Sequence, residues 1–238
     1  RQIGILVTQT AAIILPIAFV VSALTITGVT GSLTSGLVGM GGGNIYLVLL
    51  FGILACFVMG MAGLAIVAYI FLAVTLAPAI IEVGGLNKIA VHFFIVYYAM
   101  VSAITPPVGA AAFLAGTIAG AKPMQTSFTA MRLGVVIYFV PLFFLFQPSL
   151  VLQGDLMPLT YLLPSIVAGI MLICAGFEGW LLGVGLVRPL LRLPLAAAGF
   201  AFSFPGLMTS VLGGIISVVL VAIVWLDNRR QGAAVPVK

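Results

Sequence analysis

From Gln2 to Ile81 the chain carries no charged side chain. A soluble domain spends roughly 25% of its residues on charge, whereas this whole chain has 5% charged and 63% apolar residues. A stretch of that kind is stable only in lipid. There, backbone N–H and C=O groups have to be satisfied within the segment itself, which selects helices. The expected fold class is therefore an all-α integral membrane protein with several spans. The net charge of +5 does not point to nucleic acid, because the basic residues are scattered at helix ends without a basic stripe or aromatic interleaving. They read as topology signals, and the lipid bilayer as the partner. Cys56 and Cys174 lie in apolar segments without metal-ligand spacing and read as packing residues. The chain contains no Gly-x-Ser-x-Gly elbow, no His-Glu-x-x-His pair and no intramembrane Asp pair, so an enzyme is not expected. It begins at Arg1 inside a hydrophobic pattern and is expected to be part of a longer protein.

The apolar run from Ile89 to Ala119 would make one straight helix of about 46 Å, well beyond the roughly 30 Å of a hydrocarbon core. It contains Ser102-Ala103-Ile104-Thr105-Pro106-Pro107-Val108-Gly109. Each proline lacks an N–H and clashes with a continuing helix, and the residue before a proline leaves the α region. Two half-helices joined by unwound backbone are therefore expected over 89–119, the alternative being a proline kink in an ordinary span. Freed carbonyls beside a Thr hydroxyl form a site for a small cation.

The rest of the chain divides around this break. Residues 1–43 read as a span (3–27, holding Pro16) and a Gly-rich connector, whose glycine density is expected to break helices. Residues 44–132 hold a re-entrant hairpin (44–82), the broken helix (89–119) and an interfacial segment (120–132). The hairpin arms, 45–58 and 64–81, come to about 21 and 27 Å, and their junction lacks the polar turn residues of a loop in water. Two short crossing helices are the competing reading. Residues 133–238 hold spans over 133–147 and 159–177, an Arg-bearing segment over 178–193, and an apolar stretch from 194 to 225 interrupted by Phe204-Pro205-Gly206, before a short tail. Lys122, Arg132, Arg188 and Arg192 fall on one side of the membrane, which the positive-inside rule makes cytoplasmic. If Arg229 and Arg230 share that side, 194–226 goes out and back.

Several short motifs occur in series. They are Gly41-Gly42-Gly43-Asn44, Gly60-Met61, Ala77-Pro78-Ala79, His92-Phe93-Phe94, Tyr97-Tyr98, Thr105-Pro106-Pro107-Val108, Ile118-Ala119-Gly120, Lys122-Pro123-Met124 and Arg132-Leu133-Gly134. In this order they resemble the large membrane subunit of TRAP transporters, in the fused TAXI branch. Pro205-Gly206 and Gly213-Gly214 resemble the C-terminal extension of those fusions. The resemblance implies an elevator-type secondary transporter in the bacterial cytoplasmic (inner) membrane. It would import small organic acids, driven by sodium as coupling ion and fed by a periplasmic substrate-binding protein, with no other cofactor. This chain would be its C-terminal half, partnered by the missing N-terminal half of the permease and by a small membrane subunit or its fused equivalent. The hairpin tip departs from the family pattern. Gly60-Met61-Ala62-Gly63-Leu64-Ala65-Ile66-Val67 lacks the proline and both threonines usual there, and Thr209-Ser210 stands where a Thr-Asp pair is common. A different coupling ion, or a non-transporting scaffold, is the alternative function.

Within this reading, Thr105 and Ser102 offer hydroxyls to sodium, or bond back to a carbonyl one turn earlier. Val108 and Gly109 offer carbonyls, and Gly60 and Ala62 face them from the tip. Gly63, Pro106 and Pro107 border the substrate. Asn44 reads as a helix cap, Tyr97 and Tyr98 as packing, and Glu82 and Lys88 as markers of the membrane surface. His92 is read as interfacial packing over a proton relay. Arg132 is read as a positive-inside anchor over a carboxylate clamp.

Overall fold

A computed structural model describes residues 26–60, 65–107, 109–204 and 206–232, together with 3, 4, 8, 15, 19, 22 and 23. Most of the span expected over 3–27 lies outside these residues. The chain packs as two units, 1–127 and 128–238.

The first unit corrects the reading of the Gly-rich connector, because Val29–Met40 is a helix, α1. Glycine is common in membrane helices, and Gly36 and Gly39 sit inside this one. The glycines that do end it are Gly42 and Gly43, at φ 56° and 73°, values that a residue with a Cβ rarely adopts. Two antiparallel helices follow, α2 (Ile45–Gly60) and α3 (Ala65–Gly84). Asn44 caps α2 by accepting from the Tyr46 N–H at 2.9 Å. The bare backbone of Gly84 meets Ile45, and that of Gly52 meets Leu76 and Ile80. At 16 and 20 residues the arms exceed the 14 and 18 read from sequence. Of the two, α3 is long and apolar enough to cross a membrane, and α2 is a shorter apolar helix.

Helix α4 (Lys88–Val101) is capped by Asn87, which accepts from the Ile89 and Ala90 N–H groups. Its inner face buries Val91, Phe94, Ile95 and Tyr98. Tyr98 is 2% exposed and meets Phe57 and Phe94 edge-to-face, with centroids 5.8 and 4.9 Å away, the geometry that aromatic quadrupoles favour. Its packing role, and that of the buried Cys56, are as expected. After the break come α5 (Ala110–Ile118) and α6 (Pro123–Leu133).

In the second unit the span expected over 133–147 is not one helix. It consists of a single tight turn, Val135–Tyr138, and the short α7, Val140–Phe146, bent by 74° from α6. Pro141 occupies the first turn of α7, where its missing N–H costs nothing. Helices α8 (Leu159–Glu178), α9 (Pro189–Ser203) and α10 (Leu207–Gly232) then form a three-helix group. The Arg-bearing segment expected over 178–193 holds a two-stranded ribbon, β1 (Trp180–Leu181) with β2 (Gly185–Leu186), a small departure from an otherwise helical chain. Helices α8 and α9 touch at small residues. Gly169 faces Gly199 and Ser203, and Gly176 faces the Arg192 carbonyl and Ala196, so backbone meets backbone as in close-packed membrane helices. Helices α8 and α10 stand apart around Phe202, leaving a groove of about 910 Å³ that reaches Tyr161, Ser165, Ser210 and Gly214.

Helices α9 and α10 double back on each other. Arg188 at the start of α9 pairs with Asp227 near the end of α10 at 2.5 Å, and Asn228 Nδ2 donates to the Val184 and Leu186 carbonyls of the ribbon. The Arg229 guanidinium lies 3.8 Å over the Trp225 ring. Arg132 pairs bidentately with Glu178 at this same end of α8, at 2.7 and 3.2 Å. Arg132, Arg188, Arg192 and Arg229 therefore gather at one end of the unit, as the positive-inside argument requires of a single membrane face.

Candidate functional site

The site is built on the interruption between α4 and α5. Helix α4 tightens into a single turn over Ser102–Ile104, and Thr105 then adopts an extended backbone at φ −92°, ψ 128°, as a residue before proline should. The Pro106–Pro107 bond is cis. Gly109 turns the chain into α5 at φ 10°, ψ 61°.

The carbonyls here are less free than the sequence implies. The Thr105 N–H donates to the Ser102 carbonyl at 3.1 Å, and the Gly109 N–H to the Thr105 carbonyl at 2.9 Å. The Ser102 hydroxyl donates to the Ala99 carbonyl at 2.6 Å, and the Thr105 hydroxyl to the Val101 carbonyl at 2.9 Å. Both hydroxyls thus take the back-bonded arrangement. Donation leaves a hydroxyl its lone pairs, and a carbonyl oxygen has two, so these oxygens keep capacity to face a cation.

A residue missed in the sequence completes the break. Ser127, fully buried on α6, donates to the Ile104 carbonyl at 2.9 Å. It lies so close to Gly109 that any Cβ there would overlap its hydroxyl. No sequence pattern announces it, since it stands 23 residues from Ile104 in a segment read as interfacial. Ser127→Ala is expected to remove this hydrogen bond from the half-buried Ile104 carbonyl, at about 0.5–1.5 kcal/mol. Hydrogen exchange at the Thr105 and Gly109 amides should then accelerate by up to about tenfold, and unchanged exchange would show that the turn holds itself.

The hairpin reaches the break from the other side. At Gly60, the last residue of α2, an added Cβ would lie 2.5 Å from the Ala99 carbonyl oxygen and overlap the Ser102 hydroxyl. With the Phe57–Tyr98 contact three residues earlier, this places α2 parallel to α4, so two helix C-termini end at one point. Each such end carries a partial negative charge of about half a unit. No charged side chain lies in α2 or α3 as far as Ile81, so these dipoles are not masked. Helix α5, in contrast, begins at the break and brings its positive end there.

Of the residues expected to hold a cation, Ser102, Thr105, Gly109 and Gly60 lie at this junction. Val108 and Ala62 fall outside the described residues. Of the three expected to border the substrate, Pro106 and Pro107 are in the break, and Gly63 is outside the described residues. Arg132 is committed to Glu178, which no spacing rule reveals across 46 residues. His92 sits at the far end of α4, its Nδ1 3.3 Å from the Tyr69 hydroxyl.

The family model of the tripartite ATP-independent periplasmic transporter, DctM component, matches residues 2–159 of the chain, ending where α8 begins. No curated protein and no solved structure matches it.

Proposed function

Because the chain belongs to the DctM-component family of the tripartite ATP-independent periplasmic transporters, a family of multi-pass transporter subunits, we propose that it forms part of a sodium-driven importer of small organic acids. In this reading the transporter lies in a bacterial inner membrane, is of the fused TAXI type, and receives substrate from a periplasmic binding protein. The observation that supports it best is the convergence of α2 and α4 at Gly60 and Ser102. Two negative helix ends favour a cation, and the positive end of α5 beside them favours the carboxylate of a substrate, the division of labour found where transporter helices are interrupted. Sodium would bridge the Ser102–Gly109 backbone and the 60–63 tip, order the tip against the break, and complete the substrate site beside Gly63, Pro106 and Pro107. The loaded repeat would then slide across a static scaffold in an elevator cycle. Sodium and substrate affinities would be linked by about 1–3 kcal/mol.

Uptake of a labelled organic acid by proteoliposomes holding the full transporter and its binding protein tests this reading. Thr105→Ala removes one hydroxyl from a cation, an interaction of about 1.5–3 kcal/mol, so half-saturating sodium should rise at least tenfold. Uptake indifferent both to sodium and to this substitution would sink the mechanism. A second reading, a non-transporting scaffold, draws on the tip's missing threonines and on the back-bonded hydroxyls of Ser102 and Thr105. It predicts no uptake with any binding protein.

A further inference from the structure

At the end of α4 remote from the break lies a cavity of about 340 Å³, lined by Tyr69, Lys88, Ile89, His92, Phe93 and Val96. We propose that it binds a small monocarboxylate with a short apolar tail. Lys88 and His92 are four residues apart and share one face of α4. Tyr69 reaches His92 from α3, with ring centroids 6.1 Å apart and the hydroxyl 3.3 Å from Nδ1.

The donor inventory decides the ligand's charge. Lys88 offers three N–H donors and no acceptor. Tyr69 and neutral His92 share one proton in their hydrogen bond and, in either tautomer, keep a second to donate. Among the described residues no carboxylate lines the cavity. The nearest acidic residue in sequence, Glu82, forms no ion pair with Lys88 among the described residues. The first N–H groups of α4 are already taken by Asn87, so the anion would be held by side chains. Ile89, Phe93 and Val96 supply an apolar wall, and the volume falls at the small end of ligand pockets.

Lys88 lies some 17 residues before Thr105, which is about 25 Å of helix. The cavity is therefore separate from the break and would act as a staging site at the other end of the half-helix. It stands whether or not the break holds sodium.

The chain's single histidine makes the test direct. The chain is labelled with ¹⁵N-histidine and placed in phosphatidylcholine nanodiscs at neutral pH. Hexanoate should move the ring signals of His92 saturably, whereas hexan-1-ol and hexylamine should not. Lys88→Gln should weaken hexanoate at least tenfold, and Lys88→Arg should retain it. Equal shifts with hexanoate and hexanol, or undiminished binding in Lys88→Gln, would overturn the proposal. A shift produced by phosphatidylglycerol without hexanoate would assign the cavity to lipid headgroups and overturn it too. Failure here would leave the sodium dependence of uptake unaffected, so the two readings fall separately.

Discussion

A Gly60→Val transporter is expected to lose sodium-stimulated uptake altogether while still inserting into the membrane. The position tolerates no side chain. Its neighbours are the Ala99 carbonyl, 2.5 Å from where a Cβ would stand, and the Ser102 hydroxyl. The first is backbone inside α4 and cannot turn aside, so α2 has to retreat. A retreat of about 1 Å separates the two helix ends whose fields add at the break, and a misplacement of that size can cost about a hundredfold in a positioned site. Gly60→Ala should already impair uptake. Gly39→Ala, where nothing lies within 4 Å, should not. The measurement is initial uptake at saturating sodium, normalised to transporter in the proteoliposome. Half or more of the wild-type rate in Gly60→Val would refute the close-packed junction.

The second large effect is expected at Gly199. A Cβ there would stand 2.6 Å from the Gly169 carbonyl oxygen and 2.8 Å from Leu172 Cβ. Gly169 in turn lies against the Gly199 carbonyl and Ser203. A valine therefore meets backbone where the partner helix has no side chain to rotate away. The cost should reach about 3 kcal/mol, the upper part of the range for overpacked interiors. Gly214→Ala should cost less, because its neighbour is the Phe202 ring at 3.1 Å, which can move. Both tryptophans of the chain, Trp180 and Trp225, belong to this unit, so intrinsic fluorescence follows its unfolding. A Gly199→Val melting midpoint within a degree or two of wild type would show that α8 and α9 are not held by this contact.

What could be read in advance was what depends on neighbouring residues alone. Two consecutive prolines dictate a break wherever they stand in a helix, and the extended Thr105 follows from its place before Pro106. The return of α10 was legible only as a conditional, should Arg229 and Arg230 share the face of Arg188. The Gly-rich segment misled because glycine density was read without regard to solvent. In lipid an unsatisfied backbone costs more than a glycine does, so α1 forms and only the left-handed Gly42 and Gly43 end it. Ser127 was invisible because its partner is a carbonyl on another element, and carbonyls carry no residue identity. Gly60 was legible as a position where backbone could come close to another element, but the element it meets, Ser102 and the Ala99 carbonyl, was not. Arg132 carried two readings that its pairing with Glu178 narrows, since a guanidinium already held bidentately would have to exchange one carboxylate for another.

Asn228 closes the ribbon between α8 and α9 by donating to Val184 and Leu186, and Arg188 and Asp227 pair beside it. The three C-terminal helices are thereby tied at one end. At the other end Gly213 lies against the Phe202 backbone and the Ser210 hydroxyl donates to the Phe204 carbonyl, so α10 is fastened to α9 at both of its ends, and α9 acts as the spacer that holds α8 and α10 apart along the groove.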